Sequence, residues 1–304
     1  MRFGVISFLC RTSLTIFLSM VLTTHVFAAA KSQVVVSLQP LYLIAAEIGG
    51  EDILVERLLP TTASAHDFAL KVSDHQKIVE ADKVIWVGPE LESFLQKALR
   101  NLPKEKLLEL GKLEGIEFPL ETGINHDHGH NHGDRDFHLW LDPDNAQIIA
   151  RAVAQTFSQL TPEKASQFAA REQLLVERLK QLDAVVMAQL APVKLRPFVV
   201  YHPAYDHFVS HYGLTQLNFV SLTPEKKAGA RHLAGLQSAF KQDVTCLFTE
   251  PYQVHSRINE WAEMYGVRQA QLYPLGSETM HTFDELFTQL SQTFVDCLTS
   301  TQGP

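Results

Sequence analysis

The sequence has few cysteines and no excess of basic residues. It contains three cysteines in 304 residues, and its 26 Lys plus Arg face 34 Asp plus Glu, which gives a formal net charge of −8. A nucleic-acid-binding protein would need basic patches, so we expect no nucleic-acid partner. The hydrophobic content of 46% supports a folded core, and the length is typical of two lobes.

Long apolar runs are absent after residue 30. Before it, Arg2 and Arg11 precede an apolar run over residues 12–27, and three alanines follow at 28–30. A basic start, a short apolar run and small residues predict a cleaved secretion signal over residues 1–30. The alternative is an uncleaved membrane anchor, although the run is short for a spanning helix.

Removal of this signal would leave two cysteines, Cys246 and Cys297. Two cysteines in an exported protein predict a disulfide bond. This bond would tie a strand-like segment to the C-terminal helix. Two unpaired buried thiols are the alternative.

Short β-branched runs alternate with helical patterns in the first half of the chain, and the second half repeats the α/β pattern. The runs predicted as strands are 34–38, 53–59, 83–88, 198–201, 217–220, 246–249 and 269–273. This alternation predicts an α/β fold with two lobes, each a mostly parallel sheet with flanking helices.

A helical pattern without a break runs from Pro162 to Leu190 between the two halves. At ~1.5 Å per residue it would span about 40 Å, which suits one long rigid helix joining the lobes; a long surface helix within a single domain is the alternative. Asp142 or Asp144 is expected to cap the helix before it, and Thr161 the long helix itself. The predicted organisation is a signal at 1–30, an N-terminal lobe at 31–160, a linking helix at 161–192 and a C-terminal lobe at 193–304.

A histidine-rich loop occupies residues 123–136 and ends just before His138. Its histidines are His126, His128, His130 and His132, interspersed with Asp, Gly and Asn. Such a segment cannot form a core, but neutral imidazoles can gather a borderline-soft cation such as zinc. We predict a low-affinity auxiliary metal-binding loop.

Three further histidines stand where α/β folds place ligands, after strands or in loops. His66 follows the second predicted strand, His138 closes the histidine-rich loop, and His202 directly follows the strand at 198–201. Ligands of open α/β sheets bind at the carboxyl ends of the strands. Each histidine alone is weak evidence, because isolated histidines are often structural, but their similar placement favours one shared site.

The segments around these histidines carry a resemblance to a known family. They are TASAHDFAL at 62–70, FHLWLDP at 137–143, VYHPAY at 200–205, FTEP at 248–251 and PLG at 274–276. With a long helix between them, they resemble the periplasmic metal-binding proteins that feed ABC importers, and the resemblance covers essentially the whole mature chain. It implies two lobes around a metal cleft, a periplasmic location and a membrane permease as partner. It also implies His66, His138 and His202 as metal ligands.

The resemblance favours zinc over manganese. Manganese-binding relatives tend to have a carboxylate where this chain has His202, and three imidazoles suit zinc better. A cysteine pair near the C-terminus also occurs in zinc-binding members. Tyr273 replaces an aspartate that many relatives have before the PLG segment, and Ala65 replaces an acidic residue, so a water or a loop histidine is expected as the fourth ligand.

Other candidate residues have competing interpretations. His207 and His211 have a spacing that can chelate zinc, but without a metalloprotease motif we expect a solvated pair. Glu250 either orients a ligand through a hydrogen bond or caps a helix. His232, His255 and His281 are expected at the surface, and Trp86 and Trp140 in the core.

The sequence therefore predicts a monomeric, high-affinity zinc-binding protein that delivers Zn²⁺ to an ABC-type importer and is not an enzyme. A zinc hydrolase is the first alternative, because three histidines and an open position also bind catalytic zinc. It lacks support, since no catalytic motif accompanies the histidines. A zinc-storage or adhesion protein is the second alternative.

Overall fold

The computed structural model describes residues 31–119, 135–223, 225, 229–241, 244–251 and 256–299. The predicted signal segment 1–30 and the four loop histidines, His126 to His132, lie outside these residues. Within the described ranges, none of the helices is both long enough and apolar enough to cross a membrane.

The first sheet has four parallel strands in the order β2-β1-β3-β4. The strands are β1 (Ser32–Val36), β2 (Ile53–Arg57), β3 (Lys83–Trp86) and β4 (Leu107–Glu109). The helices that accompany them are α1 (Gln39–Gly49), α2 (Val72–Glu80) and the short α3 (Gln96–Leu99). The sequence predicted the first three strands but missed β4, because three half-buried residues are too few to show a period.

Two consecutive helices separate the sheets. Helix α4 (Pro143–Leu160) begins at Asp142, whose carboxylate accepts hydrogen bonds from the backbone N–H groups of Asp144 and Asn145. Helix α5 (Ala165–Leu190) has 26 residues and spans about 39 Å. The long helix is confirmed, but Thr161 makes no side-chain cap, and residues Pro162–Lys164 form a 3-10 turn before α5.

The second sheet also has four parallel strands, in the order β6-β5-β7-β8. They are β5 (Phe198–Val200), β6 (Gln216–Phe219), β7 (Cys246–Thr249) and β8 (Arg268–Gln271). The helices are α6 (Asp206–Tyr212), α7 (Ala230–Phe240), α8 (Ser256–Met264) and α9 (Phe283–Thr299). Two lobes with parallel sheets and a long helix between them confirm the predicted fold class.

One hydrophobic core extends through both lobes. Its buried members include Val35 of β1, Phe157 of α4, Phe198 of β5 and Phe294 of α9. Helix α9 packs on α5 and also reaches α1 of the first lobe. Trp86 and Trp140 are both buried, as predicted. A smaller cluster fills the outer side of the second sheet, beneath α7 and α8.

Covalent and ionic ties reinforce this packing. Cys246 of β7 is bonded to Cys297 of α9, which confirms the predicted disulfide. The Arg178 guanidinium on α5 lies 2.7 Å from a Glu47 carboxylate oxygen on α1 and 2.5 Å from Asp284 on α9. One side chain thus holds helices from both lobes against the long helix.

Candidate metal site

His66 lies in a stretch without regular structure, residues 58–71, between β2 and α2. The Ser64 hydroxyl accepts a hydrogen bond from the backbone N–H of His66 at 3.1 Å. Glu278, which follows β8 in the other lobe, accepts hydrogen bonds from the backbone N–H and the hydroxyl of Thr61. Its carboxylate also pairs with Arg57 at 2.6 Å, and this pairing lowers the pKa of Glu278. The second lobe therefore helps to position the His66 segment.

His138 is held by Asp136. The Asp136 carboxylate accepts from the backbone N–H of His138 at 2.9 Å and lies 2.6 Å from its Nδ1. Burial would raise the pKa of Asp136, but the His138 imidazole outweighs it and holds that pKa at about 2. In a neutral ring, a proton on Nδ1 facing this carboxylate would leave the lone pair on Nε2.

His202 and Glu250 meet because their strands are neighbours. Parallel strands β5 and β7 pair Val200 with Phe248, so the residues two positions further on emerge side by side at the carboxyl edge. The His202 Nδ1 lies 2.5 Å from a Glu250 carboxylate oxygen, and both side chains are buried. Burial lowers the pKa of His202, but the Glu250 charge outweighs it, so the net shift is upward.

The three imidazoles converge. The ring centroids of His66, His138 and His202 lie 5.4 Å apart in each of the three pairs. One ring nitrogen from each lies within 4.8 Å of the other two. Nitrogens bound to one tetrahedral Zn²⁺ are about 3.3 Å apart, so closing the rings on an ion needs shifts of at most about 1.5 Å.

The donor set fits a divalent borderline cation. The His202 Nε2 is buried without a hydrogen-bond partner in the described part of the chain, and a buried polar atom of this kind is costly unless something binds it. Imidazole nitrogens suit zinc. Two buried carboxylates, Asp136 and Glu250, stand behind two of the rings, and their charges would balance a 2+ ion in this low-dielectric site.

Sequence reasoning missed Asp136 and left Glu250 undecided. Glu250 lies against His202, and the matching position of the two residues after adjacent strands was the available signal. Asp136 was hidden among the acidic residues of the histidine-rich loop. Asp136 is held in place by a contact with a residue distant in sequence. Its other carboxylate oxygen accepts a hydrogen bond from the backbone N–H of Asp206 at 3.1 Å.

The prediction of a solvated pair at His207 and His211 is wrong. His207 is buried, and its Nε2 lies 2.8 Å from the backbone carbonyl oxygen of Asp136. His211 is mostly buried against Asp183 and Asp142. Helix α6 has only seven residues and places both histidines against neighbouring elements.

Among the described residues, the other sequence candidates do not join the three imidazoles. The Tyr273 hydroxyl donates to the exposed Gln271 side chain at 3.0 Å. His281 is exposed as predicted, whereas His232 is half-buried, with its Nε2 2.7 Å from the Phe219 carbonyl oxygen. His255, like the four histidines of the auxiliary loop, lies outside the described residues.

Comparison with known proteins adds independent information. The family model for the periplasmic component A of the zinc-uptake complex, ZnuA, matches residues 34–297. The high-affinity zinc uptake system protein ZnuA of Yersinia pestis is 34% identical, across 92% of this chain and 95% of that protein. The protein of the same name from Haemophilus ducreyi is 31% identical, across 90% and 96%.

Solved structures share the fold. A crystal structure of ZnuA superposes with a TM-score of 0.75 at 21% identity and covers 89% of this chain and all of its own. The periplasmic zinc-binding protein TroA of Treponema pallidum superposes with a TM-score of 0.77 at 20% identity, again over 89% of this chain and all of its own.

Proposed function

Because the chain belongs to the family of the periplasmic zinc-uptake component ZnuA, we propose that it captures Zn²⁺ in the periplasm and delivers it to the membrane permease of an ABC-type importer. The observation that carries the proposal is the convergence of three imidazoles from distant parts of the sequence on one point between the lobes. Zinc is the cargo here, and the protein binds it without transforming it.

We propose His66, His138 and His202 as the primary ligands. The lone pairs on Nε2 of His138 and His202 would face the ion, because their Nδ1 atoms are held by Asp136 and Glu250. This all-imidazole set favours zinc over manganese, which prefers oxygen ligands. Zinc, a d¹⁰ ion, also accepts a four-coordinate tetrahedral arrangement readily.

The fourth position is open to a water or to a histidine of the auxiliary loop. Among the described residues, the cluster includes no fourth histidine, cysteine or carboxylate. His126, His128, His130 and His132 are close in sequence to His138, and we propose them as a low-affinity collector that raises the local zinc concentration. The collector would then pass the ion inward.

The domain organisation that we propose agrees with this function. We propose residues 1–30 as a cleaved signal, lobes at 31–160 and 193–304, and the linking helix at 161–192. The protein would act as a monomer. Release would depend on movement of the His66 segment, which lacks regular structure, as the permease draws the ligands apart.

The hydrolase alternative has less support. A hydrolytic zinc site needs a general base beside the metal-bound water. The two carboxylates beside the rings, Asp136 and Glu250, are engaged with His138 and His202. They are placed to hold ligands, and a base would have to abandon that role.

The test is zinc titration of the mature protein and of His66→Ala, His138→Ala and His202→Ala, with a competing chelator. Each substitution is expected to abolish or strongly weaken the tightest zinc site, while exposed His281→Ala leaves it intact. Retention of tight binding in the three variants refutes the assignment. Restoration of growth in zinc-poor medium, compared between the parent and His138→Ala, separates uptake from storage.

A further inference from the structure

A second group of metal-ligating side chains lies where α4, α5 and α6 meet. Asp142 and Asp144 stand at the start of α4, and His211 stands near the end of α6. One ligand atom from each lies within 4.8 Å of the other two. None of these residues belongs to the three-histidine cluster. This second group joins helices of both lobes.

The orientation of His211 matches that of a metal ligand. Its Nε2 lies 2.8 Å from an Asp183 carboxylate oxygen on α5, so Asp183 accepts the ring N–H there. Once the ring has lost its second proton, the lone pair would be on Nδ1, which faces Asp142 Oδ2 at 3.6 Å. His138 and His202 have the same arrangement, in which a carboxylate holds one ring nitrogen and the other is presented for coordination.

Both aspartates use Oδ1 for hydrogen bonds at the start of α4. Asp142 uses Oδ1 to accept from the backbone N–H groups of Asp144 and Asn145, which leaves Oδ2 toward His211. Asp144 is exposed and uses Oδ1 to accept from Gln147. The 3.6 Å between His211 Nδ1 and Asp142 Oδ2 is close to the ~3.3 Å expected for two ligands of one tetrahedral zinc ion.

We propose that His211, Asp142 and Asp144 form a second, weaker site for a divalent transition-metal cation such as Zn²⁺, with Asp183 as the positioning residue. One imidazole and two carboxylates, completed by water, form a mixed N/O ligand set that zinc accepts. The site deepens the proposed function, on which it rests for the identity of the ion. Asp142 is four residues beyond His138, so a cation bound here stands beside the segment that carries a primary ligand.

Two effects make this site weaker than the three-histidine site. The positive end of the α4 dipole disfavours a cation near its first turn. In the metal-free protein, burial lowers the pKa of His211 but Asp142 and Asp183 outweigh it and raise that pKa to about 9, so the ion must displace a proton. We therefore expect the second ion to bind only after the tight site is filled.

The experiment is calorimetric Zn²⁺ titration of the full mature chain with His126, His128, His130 and His132 replaced by alanine, so that loop binding does not contribute. Two ions are expected, one tight and one weaker. Exposed Asp144→Asn and His211→Ala should remove the weaker ion, and Asp183→Asn should weaken it about 10–100-fold. His75→Ala, an exposed histidine on α2, should bind both ions as the parent does.

The outcomes separate this proposal from the proposed function. A single ion in the loop-silenced parent overturns the second site, as does a weaker ion that survives both Asp144→Asn and His211→Ala. Asp144→Asn keeps the test valid if His211→Ala fails to fold, since Asp144 is exposed. Adding His138→Ala to the loop-silenced chain should remove only the tight ion. Loss of the weaker ion alone in that variant would contradict the primary assignment.

Discussion

Glu250→Gln tests how strongly a buried carboxylate supports a proposed zinc ligand. The Glu250 oxygen lies 2.5 Å from His202 Nδ1, and the side chains are only 1% and 2% exposed. Glutamine has the same shape and can still accept the ring N–H through its carbonyl oxygen. The substitution therefore removes the negative charge while keeping the ring in place.

The expected effect is a rise in the zinc dissociation constant of about 10–100-fold, as for other residues that hold a metal-bound histidine. This corresponds to about 1.4–2.8 kcal/mol of binding free energy. The value agrees with the ~1.5–3 kcal/mol attributed to hydrogen bonds with a charged partner. The charge acts through His202, by making the imidazole more basic, and directly on the ion across a buried site.

The assay is competition with a chromogenic chelator at neutral pH. Glu92→Gln is the matched control, because Glu92 is as deeply buried but accepts from the backbone N–H groups of Val87 and Gly88. Its zinc affinity should equal that of the parent. If Glu250→Gln binds zinc as tightly as the parent, or if the control loses as much affinity, the reasoning about charge support is wrong.

Three further predictions concern stability in the metal-free protein. Burial raises the pKa of Glu92 from 4.5 to about 7, so its contribution is most favourable below pH 4.5 and is lost as pH rises through 7. The free energy of unfolding of Glu92→Gln should therefore exceed that of the parent by about 3 kcal/mol at alkaline pH and by little at acid pH. Equal pH profiles of the two proteins in urea unfolding would contradict this. Replacing Cys246 and Cys297 by serine removes a cross-link across a sequence separation of 51 residues. This should lower the free energy of unfolding by up to about 4 kcal/mol, and an unchanged urea midpoint would argue against it. Trp140→Phe removes the buried bond from the indole N–H to the Pro274 carbonyl, 2.8 Å long, and should cost about 1–3 kcal/mol, which a thermal scan showing no loss would refute.

Much of the fold could be predicted because its signals are local. Short strand-like runs alternating with helical patterns predicted seven of the eight described strands, and the long helix was evident from an unbroken period ending at Leu190. Asp142 was one of two residues proposed as the cap of α4, and it is the cap. Short elements such as β4 escaped, since their conformation depends on pairing with a neighbouring strand.

The site was harder to predict, because it depends on how distant segments meet. Strand-end placement indicated His202, and the same rule applied to β7 would have indicated Glu250. The position of His66 could not be predicted from its own segment, because Glu278 from the other lobe helps to hold that segment in place. The burial of His207 and His211 depends on contacts of α6 with α4, α5 and the Asp136 segment, which no period in a seven-residue helix reveals.

The continuous core has a consequence for folding. Val35, Phe157, Phe198 and Phe294 belong to one apolar cluster that both lobes share, beside the smaller cluster that belongs to the second lobe alone. Swinging the lobes widely apart would expose the shared cluster to water, at a free-energy cost of about 25 cal/mol per Å² of apolar surface. The shared cluster thus ties the two lobes together, so ion exchange at the proposed site would proceed by local movement of the histidine-bearing segments without global opening.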